Sequence, residues 1–196
     1  FHPEEEEGVP SFAQALARLG DIYVNDAFAV SHRCHASIVG ITNYLPAVAG
    51  LLLEKELDTL GRIIEDPAHP FAALVGGAKV GDKVDLLENF LKKVDFVLVG
   101  GGMAATFLKA ECYEIGKSVV ENDHLQVAAG LMNRAKNNGA RFVLPVDVIV
   151  TGEIKSDAKA TVVPVNNIQP NQRIVDIGPE TIKEFTKTLR GCRTVF

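Results

Sequence analysis

Apolar and polar positions along the chain change rhythm once, near Pro70, and the two rhythms predict different elements. Before Pro70, Pro10-Ser11 opens a segment with apolar residues at Phe12, Leu16 and Leu19 that stops at Gly20. These are the start and stop signals of a short helix. Residues 21–25 read as a strand, and an irregular polar stretch follows, Ser31-His32-Arg33-Cys34-His35. From 45 to 64, apolar Leu53, Leu57, Leu60 and Ile64 are separated by charges, the pattern of an amphipathic helix. It ends before Asp66-Pro67 and Pro70, where a domain boundary is expected with this helix as the connector. Beyond Pro70 short apolar strands (71–75, 96–99, 141–144, 148–150, 162–165, 194–196) alternate with helices (82–93, 103–109, 122–137, 179–189). Nearly continuous apolar strands between helices predict an α/β fold with a parallel sheet covered on both faces.

A length of 196 residues suits one large domain or two small ones, and 47% hydrophobic content is ample for a packed core. The formal net charge of −5 gives no support to nucleic acid as the main partner, although a local cluster of Lys and Arg suffices for a small anion. Cys34, Cys112 and Cys192 lie far apart with no CxxC pair. That suits a reducing cytoplasmic setting better than a disulfide framework or a structural zinc site. There is no signal peptide, no glycosylation triplet and no apolar run long enough for a bilayer, so no membrane partner is expected. The chain opens on Phe1 and stops in the apolar run Thr194-Val195-Phe196, so a fragment of a longer protein is expected.

In an open α/β sheet, ligands sit beyond the carboxyl ends of the strands. Two such ends carry glycine here: Gly76-Gly77 after the strand at 71–75, and Gly100-Gly101-Gly102 after the strand at 96–99. A helix start just beyond offers free N–H groups and a positive dipole end to an anion. Taken alone, each is equally a tight strand-to-helix turn without a ligand. Lys79 and Lys83 shift the balance. Spaced four apart, they fall on one face of the predicted helix start, where cations are disfavoured unless an anion neutralises them. Asp82 and Asp85 offer a purely structural alternative for that neutralisation. Neither turn fits G-x-x-x-x-G-K-[ST] or G-x-G-x-x-G, which argues against a P-loop enzyme and a dinucleotide oxidoreductase. The stretch from Phe71 to Lys83 is therefore expected to hold the phosphates of a nucleotide.

Several motifs then match one family in its order and spacing. They are Phe1-His2-Pro3-Glu4-Glu5, Asn25-Asp26-Ala27-Phe28, His32-Arg33-Cys34-His35-Ala36-Ser37, Leu45-Pro46-Ala47-Val48-Ala49-Gly50 and Glu54-Lys55-Glu56-Leu57. Further along come Gly76-Gly77-Ala78-Lys79-Val80, Gly100-Gly101-Gly102-Met103-Ala104, Leu144-Pro145-Val146-Asp147 and Asp176-Ile177-Gly178-Pro179. Together they resemble phosphoglycerate kinase. The resemblance implies two doubly wound, Rossmann-like domains joined by a long helix, both incomplete in this chain, that close by a hinge motion. Residues 1–50 would end the 3-phosphoglycerate-binding domain, 51–70 would form the interdomain helix and hinge, and 71–196 would begin the nucleotide domain.

The resemblance also implies roles. Arg33 would hold an anionic end of 3-phosphoglycerate or 1,3-bisphosphoglycerate, with His32 and His35 beside it in a basic patch. A satisfied buried imidazole is the alternative for His35 and for His2. Lys83 would neutralise the transferring phosphoryl group, Lys79 the nucleotide's α-phosphate region, and Lys55 would be a further nucleotide-side lysine. Gly77, Ala78 and Gly102 would border adenine and ribose. Mg²⁺ would arrive with ATP or ADP, with its protein ligand outside this chain and no metal site within it, and a monomer is the family's usual state. The competing reading is a non-catalytic nucleotide- or anion-binding domain that keeps the fold. One departure stands out: where the family often has Gly-Trp-Met-Gly before the motif at Asp176, this chain has Asn171-Gln172-Arg173-Ile174-Val175. Ile174 is there a weak candidate for backbone contact with the base.

Overall fold

A computed structural model describes residues 2–155 and 157–196. Phe1, the first residue of one of the motifs above, lies outside the described residues. The chain divides into two compact units, Phe1–Asp66 and Pro67–Phe196.

The first unit holds helices α1 (Pro3–Glu6), α2 (Pro10–Ala17) and α3 (Leu51–Glu65) and strands β1 (Tyr23–Asn25) and β2 (Ala47–Ala49). Pro10 enters α2 at its first turn, where its missing N–H costs nothing. The helix packs through Ala13 and Ala17, not through a Phe12–Leu16–Leu19 stripe; Leu19 lies past the helix end and is 83% exposed. The expected helix from residue 45 begins only at Leu51, because Ala47–Ala49 pairs in parallel with Tyr23–Asn25. The Asp26 carboxylate then caps α3 by accepting hydrogen bonds from the Leu52 and Leu53 N–H groups at 2.7 and 3.0 Å.

The second unit is built on a parallel sheet of order β5-β4-β3-β9, with β3 at Phe71–Val75, β4 at Phe96–Val99, β5 at Arg141–Val143 and β9 at Thr194–Val195. Phe71, Ala72 and Ala73 of β3 and Val97, Leu98 and Val99 of β4 are fully buried, as central strands covered on both faces should be. The helices are α4 (Val84–Phe90), α5 (Met103–Ala110), α6 (Leu125–Asn137) and α7 (Pro179–Arg190). A second sheet corrects the single-sheet expectation. In it β6 (Asp147–Thr151) lies antiparallel between β7 (Ala160–Pro164) and β8 (Arg173–Ile177). The outer strands β7 and β8 are half exposed, and no continuous apolar run marked Arg173–Ile177 as a strand. Val148 and Val150 of β6 pack with Leu108, Ile115, Val165 and Ile168 in a core beneath this sheet.

Candidate functional site

β3 and β4 are neighbours, so their carboxyl ends deliver the two glycine turns side by side. Gly101 adopts φ +63°, and a Cβ there would fall 3.1 Å from the Gly77 nitrogen. Only glycine permits both that backbone and that approach. The turns are also bonded: Met103 N–H donates to the Gly77 carbonyl at 2.8 Å, and Gly100 N–H to that of Val75 at 2.9 Å.

The helix expected from residue 82 is delayed. Gly81–Lys83 forms a single 3₁₀ turn, and α4 starts at Val84. Lys79 is therefore an exposed loop residue, and the two lysines do not share a face of one helix. Lys83 instead leans over Gly77, where an added Cβ would meet its Cε at 3.2 Å and its Nζ at 3.6 Å. Neither lysine forms an ion pair with Asp82 or Asp85, or with any other described residue, so the structural alternative for their charges is not realised.

Only part of the N–H groups at the two turns is engaged; those of Gly76, Gly77, Ala78, Lys79, Gly101 and Gly102 have no acceptor among the described residues. Those of Val80 and Gly81 donate to the Glu121 carboxylate, forty or more residues away in sequence, and that of Met103 to Gly77. Glu121 is itself placed by the buried Thr106 hydroxyl, which accepts its backbone N–H at 3.2 Å. This carboxylate staples the loop bearing Lys79 and Lys83, whose positive charges stand beside the undonated turn N–H groups as the anion-facing chemistry. Sequence reasoning missed Glu121, which follows Val119-Val120 with no local sign of a distant backbone partner.

Beside the turns lies a cavity of about 170 Å³ lined by Ala78, Gly102, Ala105, Ser118, Val119, Ile154, Arg173 and Ile174. Ala78, Gly102 and Ile174 were singled out in the sequence; Ser118, Val119, Ile154 and Arg173 were not. A larger hollow, about 700 Å³ near Leu108, Met132 and Phe142, is lined by none of the candidate site residues, although Leu144, Pro145 and Val146 of one motif border it.

In the first unit, Arg33 and His32 are exposed on the loop after a 3₁₀ turn at Phe28–Val30. His35 is half-buried, with Nδ1 3.9 Å from Glu5 Oε1. Glu5 ties this loop to α1: its carboxylate accepts the Ser37 N–H at 3.0 Å and the Ser37 hydroxyl, and its carbonyl accepts the Ala36 N–H at 2.9 Å. His2 is exposed and rests on the Phe12 ring at 5.4 Å, so it is not the buried imidazole of the alternative reading. Lys55 is exposed on α3 of this unit, whereas Gly77, Ala78, Lys79, Lys83 and Gly102 belong to the second. Among the described residues no cluster of His, Cys, Asp or Glu could hold a metal, and no helix is long and apolar enough to cross a membrane.

The family model described as phosphoglycerate kinase matches residues 1–196. The chain belongs to the phosphoglycerate kinase family. The phosphoglycerate kinase of Moorella thermoacetica is 51% identical over 195 residues, covering 100% of this chain and 50% of that protein. Among solved structures, phosphoglycerate kinase from Coxiella burnetii superposes with a TM-score of 0.85 at 45% identity, covering 97% of this chain and 49% of that one. The enzyme from Pyrococcus horikoshii gives 0.78 at 27% identity, over 93% and 46% of the respective chains. The chain thus spans about half the length of the curated relatives it matches.

One buried carboxylate ties the second sheet to α7. Asp147 accepts the Glu180 and Thr181 N–H groups at 3.0 and 2.7 Å, and the Thr181 hydroxyl lies 2.7 Å from Oδ1. Burial alone would raise this carboxyl, but the hydrogen bonds from Thr181 and Glu180 hold it below the ordinary aspartate value. Gly178, at the N-cap of α7, has no room for a side chain, since a Cβ would lie 2.3 Å from the Asp147 carboxyl group.

Proposed function

We propose that the chain is a segment of a phosphoglycerate kinase that transfers a phosphoryl group reversibly between 1,3-bisphosphoglycerate and ADP, giving 3-phosphoglycerate and ATP. This reaction belongs to glycolysis and gluconeogenesis, in a cytoplasmic, monomeric enzyme. The observation that carries the reading is the pair of abutting glycine turns with the unpaired Lys83 poised over Gly77, in a chain matched along its whole length by one family.

In this reading residues 71–196 take the nucleotide, residues 1–50 the phosphoglycerate, and 51–70 join them. The base and ribose lie against Gly77, Ala78 and Gly102, Lys79 meets the α-phosphate region, and Lys55 adds charge on the nucleotide side. Arg33 grips the phosphoglycerate, because its planar fork suits bidentate contact with an anion, and His32 and His35 extend the basic patch. The nucleophile or leaving group is a carboxylate, already an anion, so no general base is required. Catalysis consists of in-line alignment and neutralisation of the equatorial oxygens, to which Lys83 contributes. Mg²⁺ enters as part of the nucleotide substrate.

The test is an ATP-consumption assay with 3-phosphoglycerate. The complete polypeptide that carries this sequence is expected to turn over. The 196 residues alone, about half the relatives' length, are expected to show no measurable transfer. Measurable transfer by the 196 residues alone would overturn the division of the site, and no transfer by either would overturn the activity.

A further inference from the structure

The glycine turn at Gly77 and the loop that carries the two lysines are both tied to one helix, α5. Met103, its first residue, donates its N–H to the Gly77 carbonyl at 2.8 Å. One turn along, the fully buried Thr106 hydroxyl accepts the Glu121 N–H at 3.2 Å. A further turn along, Lys109 Nζ donates to Asn122 Oδ1 at 2.8 Å. The segment that bears Glu121 is thereby fixed to the helix that also holds Gly77.

From that seat the Glu121 side chain reaches the lysine loop. A single oxygen, Oε2, accepts the N–H groups of both Val80 and Gly81, the second at 3.2 Å. These two residues stand between Lys79 and Lys83. The Val80 side chain is fully buried, and its carbonyl accepts the Lys83 N–H at 2.9 Å, which closes the turn from which Lys83 projects. The His124 ring packs against Gly81, where an added Cβ would lie 2.8 Å from Nε2, and its Nδ1 is 3.9 Å from Glu121 Oε1.

Lys83 has no ion-pair partner among the described residues, so no acid holds its ammonium over Gly77. The place of that charge depends on where the backbone starts the side chain, and Glu121 fixes the start. We propose that Glu121 is a positioning residue for phosphoryl transfer, setting the Lys83 ammonium relative to the glycine turns, with Thr106 as its anchor. The proposal rests on the reading of Lys83 as a charge that acts on the transferring phosphoryl group. Misplacing such a group by about 1 Å can cost on the order of 10²-fold in rate. A brace that served stability alone would leave the turnover number of the folded protein unchanged.

Steady-state kinetics of the complete polypeptide with ATP and 3-phosphoglycerate test it, on Glu121→Ala, Glu121→Gln and Thr106→Val, each alone and combined with Lys83→Met. Glu121→Ala is expected to lower kcat by about 10- to 100-fold. KM for ATP should stay within about threefold, because the Met103–Gly77 bond still holds the turn. Glu121→Gln keeps an oxygen able to accept both N–H groups and should hold kcat within about threefold of the parent. Thr106→Val keeps the shape but not the anchor. It should lower kcat by about threefold or more, and it decides the matter if Glu121→Ala fails to fold. In the Lys83→Met background both substitutions should cost less than about twofold further, since the group they position is gone. Equal losses with and without Lys83, or an unchanged kcat in folded Glu121→Ala and Thr106→Val, would overturn the proposal and leave the nucleotide site standing. A turnover of Lys83→Met within about threefold of the parent would overturn the reading of Lys83 itself, and the proposal with it.

Discussion

Replacing Lys83 by Met in the complete polypeptide is expected to lower the turnover number by a factor of about 10² to 10³, with a much smaller change in KM for the nucleotide. The methionine chain keeps the packing over Gly77, where the Lys83 stem now lies, and removes only the ammonium. That ammonium forms no ion pair among the described residues, so its loss leaves no buried acid behind and the thermal melt should not move. The large effect on turnover follows from the proposed role, in which the charge acts on oxygens that become more negative only as the phosphoryl group passes between them. A domain that binds nucleotides without transferring phosphate makes a different prediction, no turnover even in the parent and a nucleotide affinity in the variant within about threefold of the parent's. Steady-state kinetics with ATP and 3-phosphoglycerate separate the two.

Replacing Asp147 by Ala is expected to cost about 3 kcal/mol of stability, read as a fall in the urea midpoint at unchanged slope. The substitution removes the acceptor for two backbone N–H groups at the first turn of α7, while the buried Thr181 hydroxyl keeps only the Asp147 carbonyl as its acceptor at 2.8 Å. It also empties the space against which Gly178 is shaped, so the helix loses both its cap and its seat. A pH dependence follows from the same group. The carboxyls of Asp147 and Asp95 both sit below the ordinary aspartate value. For Asp95, burial opposes the shift, and hydrogen bonds from the Phe71 N–H and from His69 outweigh it. A carboxyl with a depressed folded-state value stabilises the protein above its unfolded value, near about pH 3.9, and that contribution is lost as pH falls through the folded value. Stability is therefore expected to fall below about pH 5, less steeply in Asp147→Asn than in the parent. An acid limb identical in the two proteins would contradict this account of Asp147.

The parts of the fold legible in the sequence were those in which every residue of an element obeys one local rule. Apart from the exposed Leu74 and the half-buried Phe96, the strands at Phe71–Val75 and Phe96–Val99 are buried on both faces, and their apolar runs matched their bounds to the residue. Pro179 and the following charged periodicity marked α7 just as clearly. What escaped depends on distant partners. Ala47–Ala49 is a strand only because Tyr23–Asn25 lies beside it, and Arg173–Ile177 only because β6 does. The delayed start of α4 has a similar origin, since the Glu121 carboxylate engages two N–H groups just where a helix was expected to begin.

The candidate site divides in the same way. Gly77, Ala78, Lys79, Lys83 and Gly102 are neighbours in motif and in space. Glycine turns at adjacent strand ends must meet once the two strands pair, and the β3–β4 register brings that about. Ser118, Ile154 and Arg173 reach the same place from three separate segments with no motif of their own.

The central claim, that the two glycine turns form a nucleotide cradle, is tested most directly by following backbone amide resonances of the complete polypeptide during titration with Mg-ADP. The account predicts saturable shifts concentrated at Gly77, Ala78, Gly102 and Ile174. Saturable binding that leaves those four amides unmoved, with shifts clustered elsewhere, would contradict it.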